Sequence, residues 1–532
     1  MDFYNNAYQN FLNLNYKEAI FDFYKSILFE FQENTSYYNI GICYMKLNDY
    51  NLSIKIFKLL IEKRKLVNTE NLYNLAVCYF NINDISNSIF TYQKCLEIDN
   101  QNISCYINIA ACFMKIKDFK EAIKYLLIAK NLNSNNVNIY VNLILSYNNI
   151  KEFNSSIDVI NESLKIFNIN NNQFVKNNLK YLCNNIGLTY LELRKYNTAI
   201  EYFNKCDDLH NQYFSPIYNS SVCHFFLGDY DKSIKISENI FNCKPDYTEN
   251  TEHLIRKYFD MEMYYNILNL SEKLLNNKNK IFIALIHYIR GNYDKFYEIL
   301  PNLNMTQSND DARFILPYKN LLHNLSNNLN IEIENTENTI FHLGDSHSLS
   351  TTNRNILING KLYKFNTKLI IGCKAWHLNN NKSMNNFKAC FQKKINTILN
   401  SKNKVKNIII SIGEIDCRED EGILIFHKKT NLDLNTITKD TVKNYVEFLK
   451  ECLHKYNNLN IIICNVPASY NNKTNEVRIL FNNYLNKYLS NTNFKLVDLY
   501  SLTKDNKETF IDNHHLNFDI YKQLLPEYIN LS

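Results

Sequence analysis

Ala7, Gly41, Ala76, Ala110, Ile144, Gly187 and Ser221 occupy equivalent places in a pattern that advances by 34 or 35 residues, with one step of 43 from 144 to 187. Twelve residues after each stands Ala19, Ser53, Ser88, Ala122, Ser156, Ala199 or Ser233, always a small side chain. An aromatic commonly sits three residues after the first set, as in Tyr44, Tyr79, Phe113, Tyr147 and Tyr190. Small residues at a fixed spacing mark two helices that cross closely, and turns of the Asn-Asp-Tyr or Lys-Asp-Phe type separate them. A hairpin of this size cannot bury its apolar face alone, so its copies must stack. Residues 1–300 are therefore expected to form an all-α helical-hairpin superhelix. The extra residues of the long step fall in the polar stretch around Asn170 to Asn177, lengthening one turn.

The period and these positions resemble the tetratricopeptide repeat over roughly residues 1–245. After Pro245 the pattern decays, and 250–276 and 280–300 read as degenerate units closing the stack. The resemblance implies a concave groove that takes a protein or peptide partner. Two residues before each first small position stands Asn5, Asn39, Asn74, Asn108, Asn142, Asn185 or Asn219. In the similar repeats of O-linked N-acetylglucosamine transferase, such asparagines face the groove and grip peptide backbone, a task suited to an amide that both donates and accepts. The alternative reading is that Asn only solvates the surface there.

Residues 301–336 lose the register and read as a connector. Residues 337–532 then alternate short apolar runs, at 339–343, 368–372, 405–412, 460–466 and 494–499, with helical spacing at 385–400, 439–456, 474–490 and 518–530. Alternation predicts an α/β three-layer, doubly wound domain around a parallel sheet. Ligands of such sheets sit beyond the carboxyl ends of the strands, so the polar residues after each run are the ones to inspect. The first run ends in Gly344-Asp345-Ser346, and Asp512 and His515 precede the last helix. Ser346 can serve as nucleophile, His515 as its base and Asp512 as the acid that fixes the imidazole tautomer. Backbone amides at Ser346 and Gly372 can hold an oxyanion.

Gly344-Asp345-Ser346 and Asp512-x-x-His515 resemble the first and last blocks of the SGNH or GDSL hydrolases, over residues 339–532. The resemblance implies ester hydrolysis or O-acyl transfer without a metal or other cofactor, on substrates that include acetylated glycans, with Gly372 as the glycine of the second block. The third block departs from the family. Gly413-Glu414-Ile415-Asp416-Cys417-Arg418 places Ile415 where an oxyanion-donating asparagine is usual, and isoleucine cannot donate. This string resembles a divergent subgroup linked to glycan modification. His347, Gly413, Glu414, Asp416 and Arg418 are candidates for substrate contact or support, with Glu414 and Arg418 equally readable as an ion pair. His514 reads as a neighbour of the base, and Trp376 as either a pocket wall or core.

A net charge of +6 with Lys and Arg scattered among 53 acids argues against nucleic acid. No run approaches the length of a membrane span, and the amino terminus lacks a basic-then-apolar leader, so a cytoplasmic location is expected. Fourteen cysteines include no Cys-x-x-Cys pair, and Cys43, Cys78, Cys112 and Cys223 share one repeat position, which points to packing instead of metal. The alternative to a hydrolase is a repeat scaffold whose terminal domain is a retired hydrolase.

Overall fold

The structure, a computed structural model, describes residues 2–168, 178–206, 213–270, 276–303, 309–327, 336–378, 387–401, 406–454, 456, 459–470, 474–512 and 514–529. It contains two compact units, Met1–Cys223 and His224–Ser532. The lengthened turn expected around Asn170 to Asn177 lies outside the described residues.

In the first unit, helical hairpins run from Asp2–Leu12 with Tyr16–Leu28 to Leu179–Glu192 with Tyr196–Lys205. All fourteen predicted crossing residues are buried along the chain, Ile144 among them. The crossing is tight enough for direct bonds: Ser53 Oγ donates to the Gly41 carbonyl at 2.9 Å, and Ser88 Oγ to the Ala76 carbonyl at 2.8 Å. Each turn places a residue of positive φ at the same repeat position, at Leu14, Asn48, Asn83, Lys117, Lys151, Arg194 and Gly228. Asp49, Asp84 and Asp118 then cap the second helix by accepting from the amides of Leu52, Asn87 and Glu121. Cys43, Cys78, Cys112 and Cys223 are fully buried thiols, packing residues as the repeat position implied.

A Cβ on Gly187 would come within 2.5 Å of the buried Phe203 ring. Gly187→Val is therefore expected to lose about 1–3 kcal/mol through overpacking. Urea unfolding of the full chain measures this as a lower midpoint, and an unchanged midpoint would show that the crossing yields.

The second unit adds helices Tyr230–Cys243, Thr248–Asp260, Tyr264–Leu268, Asn277–Arg290 and Tyr293–Ile299, and within the 301–336 stretch a further one, Asn309–Asn327. The strands are β1 (Thr339–Gly344), β2 (Asn355–Ile358), β3 (Lys361–Leu369), β4 (Lys406–Ser411), β5 (Leu459–Cys464) and β6 (Lys495–Val497), in the order β2-β3-β1-β4-β5-β6. All neighbours pair in parallel except β2 with β3. The sheet is therefore mixed where a purely parallel one was expected. The missed strand belongs to a hairpin closed by Asn359 and Gly360, both at positive φ, the turn chemistry that favours a two-residue connection.

The runs of isoleucine in β4 and β5 bury both sheet faces. Ile408, Ile410, Ile461 and Ile463 pack with helices Phe387–Leu399, Leu434–Leu453 and Asn475–Leu489, while Ile340, Ile409, Ile462 and Val497 pack with Phe518–Leu524. The first core also takes in Leu254, Phe282, Leu285, Phe296 and Leu321 from the helices before the sheet. Polar ties reinforce it. Asn353 Nδ2 donates at 3.0 Å to the carbonyls of Tyr288 and Ile289, and Glu262 lies between Lys368 (3.0 Å) and Lys394 (3.2 Å). These helices and the sheet thus share one core.

Candidate functional site

Strand β1 delivers its chain to the carboxyl edge of the sheet, where Asp345 and Ser346 turn into a short 3-10 helix, Ser346–Thr351. His342, one turn of the pleat earlier, is fully buried and bonded at 2.8 Å to both Thr351 Oγ1 and Ser411 Oγ, which braces that turn against β4. Burial pushes the His342 pKa down to about 3, so it stands neutral.

Ser346 Oγ lies 2.8 Å from His515 Nε2. His515 Nδ1 lies 2.9 and 2.8 Å from the two oxygens of Asp512. Asp512 Oδ1 also accepts from the backbone amides of His514 (2.8 Å) and His515 (2.7 Å), so the carboxylate is locked onto its own turn. Burial alone raises the Asp512 pKa, but the bonds from His515 and the two amides outweigh it and hold the group well below the usual carboxylate range. An ionised Asp512 keeps the proton on His515 Nδ1 and leaves Nε2 to accept from the serine. Burial lowers the His515 pKa, with Asp512 opposing it and His347 and Arg418 lowering it further.

Behind the serine, His347 Nδ1 meets Asp345 Oδ1 at 3.1 Å and Nε2 meets the His514 carbonyl at 2.8 Å. Both partners are acceptors, so the fully bonded ring carries both protons and ties the serine turn to the histidine turn. Burial lowers its pKa but Asp345 more than compensates, and the net direction is up.

A cavity of about 650 Å³ opens in front, lined by Ser346, His515, Gly372, Ile415, Arg418 and, from helix Asn309–Asn327, Tyr318. Of residues 413–418, Ile415 and Arg418 line this cavity, and Glu414 and Asp416 do not. Glu414 accepts from Arg418 Nε at 2.7 Å and from Arg478 Nη2 at 2.8 Å, with His514 Nδ1 at 3.5 Å. Burial raises the Glu414 pKa, but Arg418, His514 and Arg478 hold it well below the usual range. Asp416 accepts from the amides of Ala375 (2.6 Å) and Trp376 (3.1 Å), and burial still pushes it up to about 7. Gly413 opens the turn after β4, against Phe481. Trp376 packs on Phe426 at 6.1 Å and lines a separate cavity of about 170 Å³. Tyr318, Arg478 and the two hydrogen bonds of the His347 ring were not legible in the sequence, because nothing in their local spacing marks what they reach.

Glu414→Gln removes the carboxylate that bridges the Arg418 and Arg478 guanidinium groups. The loss is expected at about 3–5 kcal/mol, the cost of an uncompensated buried charge. The sign follows from the lowered pKa: the contribution is present above the ordinary glutamate range and fades as pH falls through the lower folded value. Urea melts of wild type and variant between neutral and acid pH measure both effects.

Among the predicted groove asparagines, three are occupied between hairpins. Asn74 donates to the Tyr38 hydroxyl (3.2 Å), Asn108 to those of Tyr73 and Tyr92 (3.0 Å each), and the buried Asn185 to the Val141 carbonyl (2.9 Å). Asn5 is exposed, and Asn39, Asn142 and Asn219 are partly so.

Residues 35–62, 69–102 and 181–213 match the tetratricopeptide repeat family. The chain carries tetratricopeptide repeats. Such repeats serve as scaffolds for protein interaction, and the residues around Ser346 lie outside the matched segments. Solved structures that match part of the chain include the C-terminal part of a TPR repeat-containing protein from Cytophaga hutchinsonii, at 18% identity and TM-score 0.37, covering 47% of this chain and 99% of that one. Another is pilF of Pseudomonas aeruginosa, at 16% identity and TM-score 0.33, covering 41% and 96%. A third is the MamA protein, at 23% identity and TM-score 0.28, covering 32% and 89%. No curated protein matches the sequence. Among the described residues, no helix is long and apolar enough to cross a membrane, and no cluster of metal-ligating side chains occurs.

Proposed function

We propose that the chain is a tetratricopeptide-repeat scaffold whose second unit carries a serine ester hydrolase or O-acyltransferase site of the SGNH type. The observation that carries the enzymatic half is the hydrogen-bonded line Ser346–His515–Asp512, at 2.8 Å per step, on the wall of a 650 Å³ cavity. In this reading His515 Nε2 takes the Ser346 proton as Oγ attacks the ester carbonyl. The C–O bond to the leaving alcohol then breaks as the imidazolium returns that proton, leaving an acyl-Ser346 ester. Water or a sugar hydroxyl, activated by His515 in turn, resolves it. The amides of Ser346 and Gly372 are the oxyanion donors, and Arg418, whose Nε is held by Glu414, is the group placed to stand in for the missing asparagine. An acetylated glycan is the substrate class the third-block resemblance favours.

A second reading rests on Ile415 and on the repeat matches: a protein-interaction scaffold with a retired site. Steady-state hydrolysis of p-nitrophenyl acetate by the full chain separates the two. The base works only when neutral, and the lowered His515 pKa moves the acid limb of kcat/KM below the ordinary histidine range. Turnover with that limb supports the enzyme; no turnover between about pH 5 and 9 leaves the scaffold.

A further inference from the structure

We propose, resting on the esterase reading above, that Arg256 is a positioning residue that turns the Gly372 N–H toward the cavity containing Ser346. Arg256 belongs to helix Thr248–Asp260, one of the degenerate hairpins, and its Nη2 donates to the Ile371 carbonyl at 3.0 Å. Its Nε donates to Asp260 Oδ2 at 2.9 Å on the same helix, which fixes the plane of the guanidinium. The Ile371 carbonyl and the Gly372 N–H belong to one planar trans peptide and point in opposite directions. Holding the oxygen from the helix side therefore aims the hydrogen away from Arg256.

The other side of that peptide is the cavity. Gly372 lines it beside Tyr318, whose hydroxyl pKa is raised by burial and lowered by the Gly372 amide, the effect of an N–H directed at that hydroxyl. Such a peptide needs an external clamp. Gly372 has φ +70° and nothing within 4 Å of where a Cβ would stand, so glycine's freedom on both sides of φ = 0 makes a flip inexpensive. A flipped peptide would present a carbonyl oxygen to a developing oxyanion. A lysine cannot replace the clamp, because only the guanidinium fork serves a carboxylate and a carbonyl from one plane.

The full-length protein is assayed on p-nitrophenyl acetate as wild type, Arg256→Ala and Arg256→Lys. An oxyanion donor acts in the transition state alone, so both variants are expected to lose roughly 10- to 100-fold in kcat with KM little changed. Added guanidinium ion should restore part of the loss in Arg256→Ala only. A raised KM at unchanged kcat would overturn the proposal by making Arg256 a substrate-binding group. A second readout does not need turnover. Carbonyl-13C isoleucine with 15N-glycine selects Ile–Gly junctions, which occur at Gly41, Gly187, Gly372 and Gly413. Arg256→Ala and Asp260→Asn should each move the Gly372 amide signal while those of Gly41 and Gly187 stay in place, even if wild type hydrolyses no ester and the esterase reading falls. Four unmoved signals in a folded variant would end the inference.

Discussion

Ser346→Ala and His515→Ala are each expected to lower kcat for aryl-ester hydrolysis by roughly 10⁵- to 10⁶-fold, because nucleophile and base act as one unit and either loss disables it. The double variant should lose little more. What remains would come from the oxyanion donors and binding, which neither change touches. Both substitutions remove groups whose bonds are local to the cavity wall: Ser346 Oγ meets His515 Nε2, and His515 is otherwise held by Asp512. Folding should therefore be preserved, and a near-wild-type urea midpoint is part of the expected result. Pre-steady-state assays of each variant at equal concentration measure the ratio; a Ser346→Ala enzyme within tenfold of wild type would place the chemistry elsewhere.

Asp512→Asn is expected to cost about 10⁴-fold in kcat with the backbone nearly unchanged. Asp512 Oδ1 accepts from two backbone amides and from the ring, and an asparagine oxygen can keep the amide bonds. Its NH₂ would then face His515 Nδ1 as a donor and favour the tautomer protonated at Nε2. That nitrogen could no longer accept from Ser346. Raising the pH should not rescue the variant, since the fault is which nitrogen carries the proton and not whether the ring is charged. A pH–rate profile for Asp512→Asn that recovered wild-type kcat in the alkaline range would contradict this role.

The repeats were legible because packing imposes one rule at every hairpin: a side chain larger than Ser at the Ser53 or Ser88 position would break the 2.9 and 2.8 Å bonds across the crossing. The loops bearing Ser346, Gly372, Asp512 and His515 were legible because strand ends in an alternating domain must face one edge. The asparagine ladder was less so. An amide serves a neighbouring tyrosine as well as a peptide, and Asn74 and Asn108 are spent between hairpins. Strand β2 was hidden by its brevity, although Asn359-Gly360 marked its turn. The contributions of Tyr318 and Arg256 come from helices more than fifty residues from the block they reach, Arg256 being 115 residues from Ile371. Local pattern carries no information about such contacts. The same distance explains why the sheet cannot be tested alone: cutting before residue 336 would strip Leu254, Phe282 and Leu321 from the core on one of its faces.

Ser346 is proposed as a nucleophile activated by His515. Labelling of the folded full-length protein with a fluorophosphonate, read by intact mass and peptide mapping, tests it without knowledge of the substrate. One adduct is expected, on Ser346, forming faster as His515 loses its proton and abolished in His515→Ala. No adduct at any pH, or equal labelling in Ser346→Ala, would contradict it.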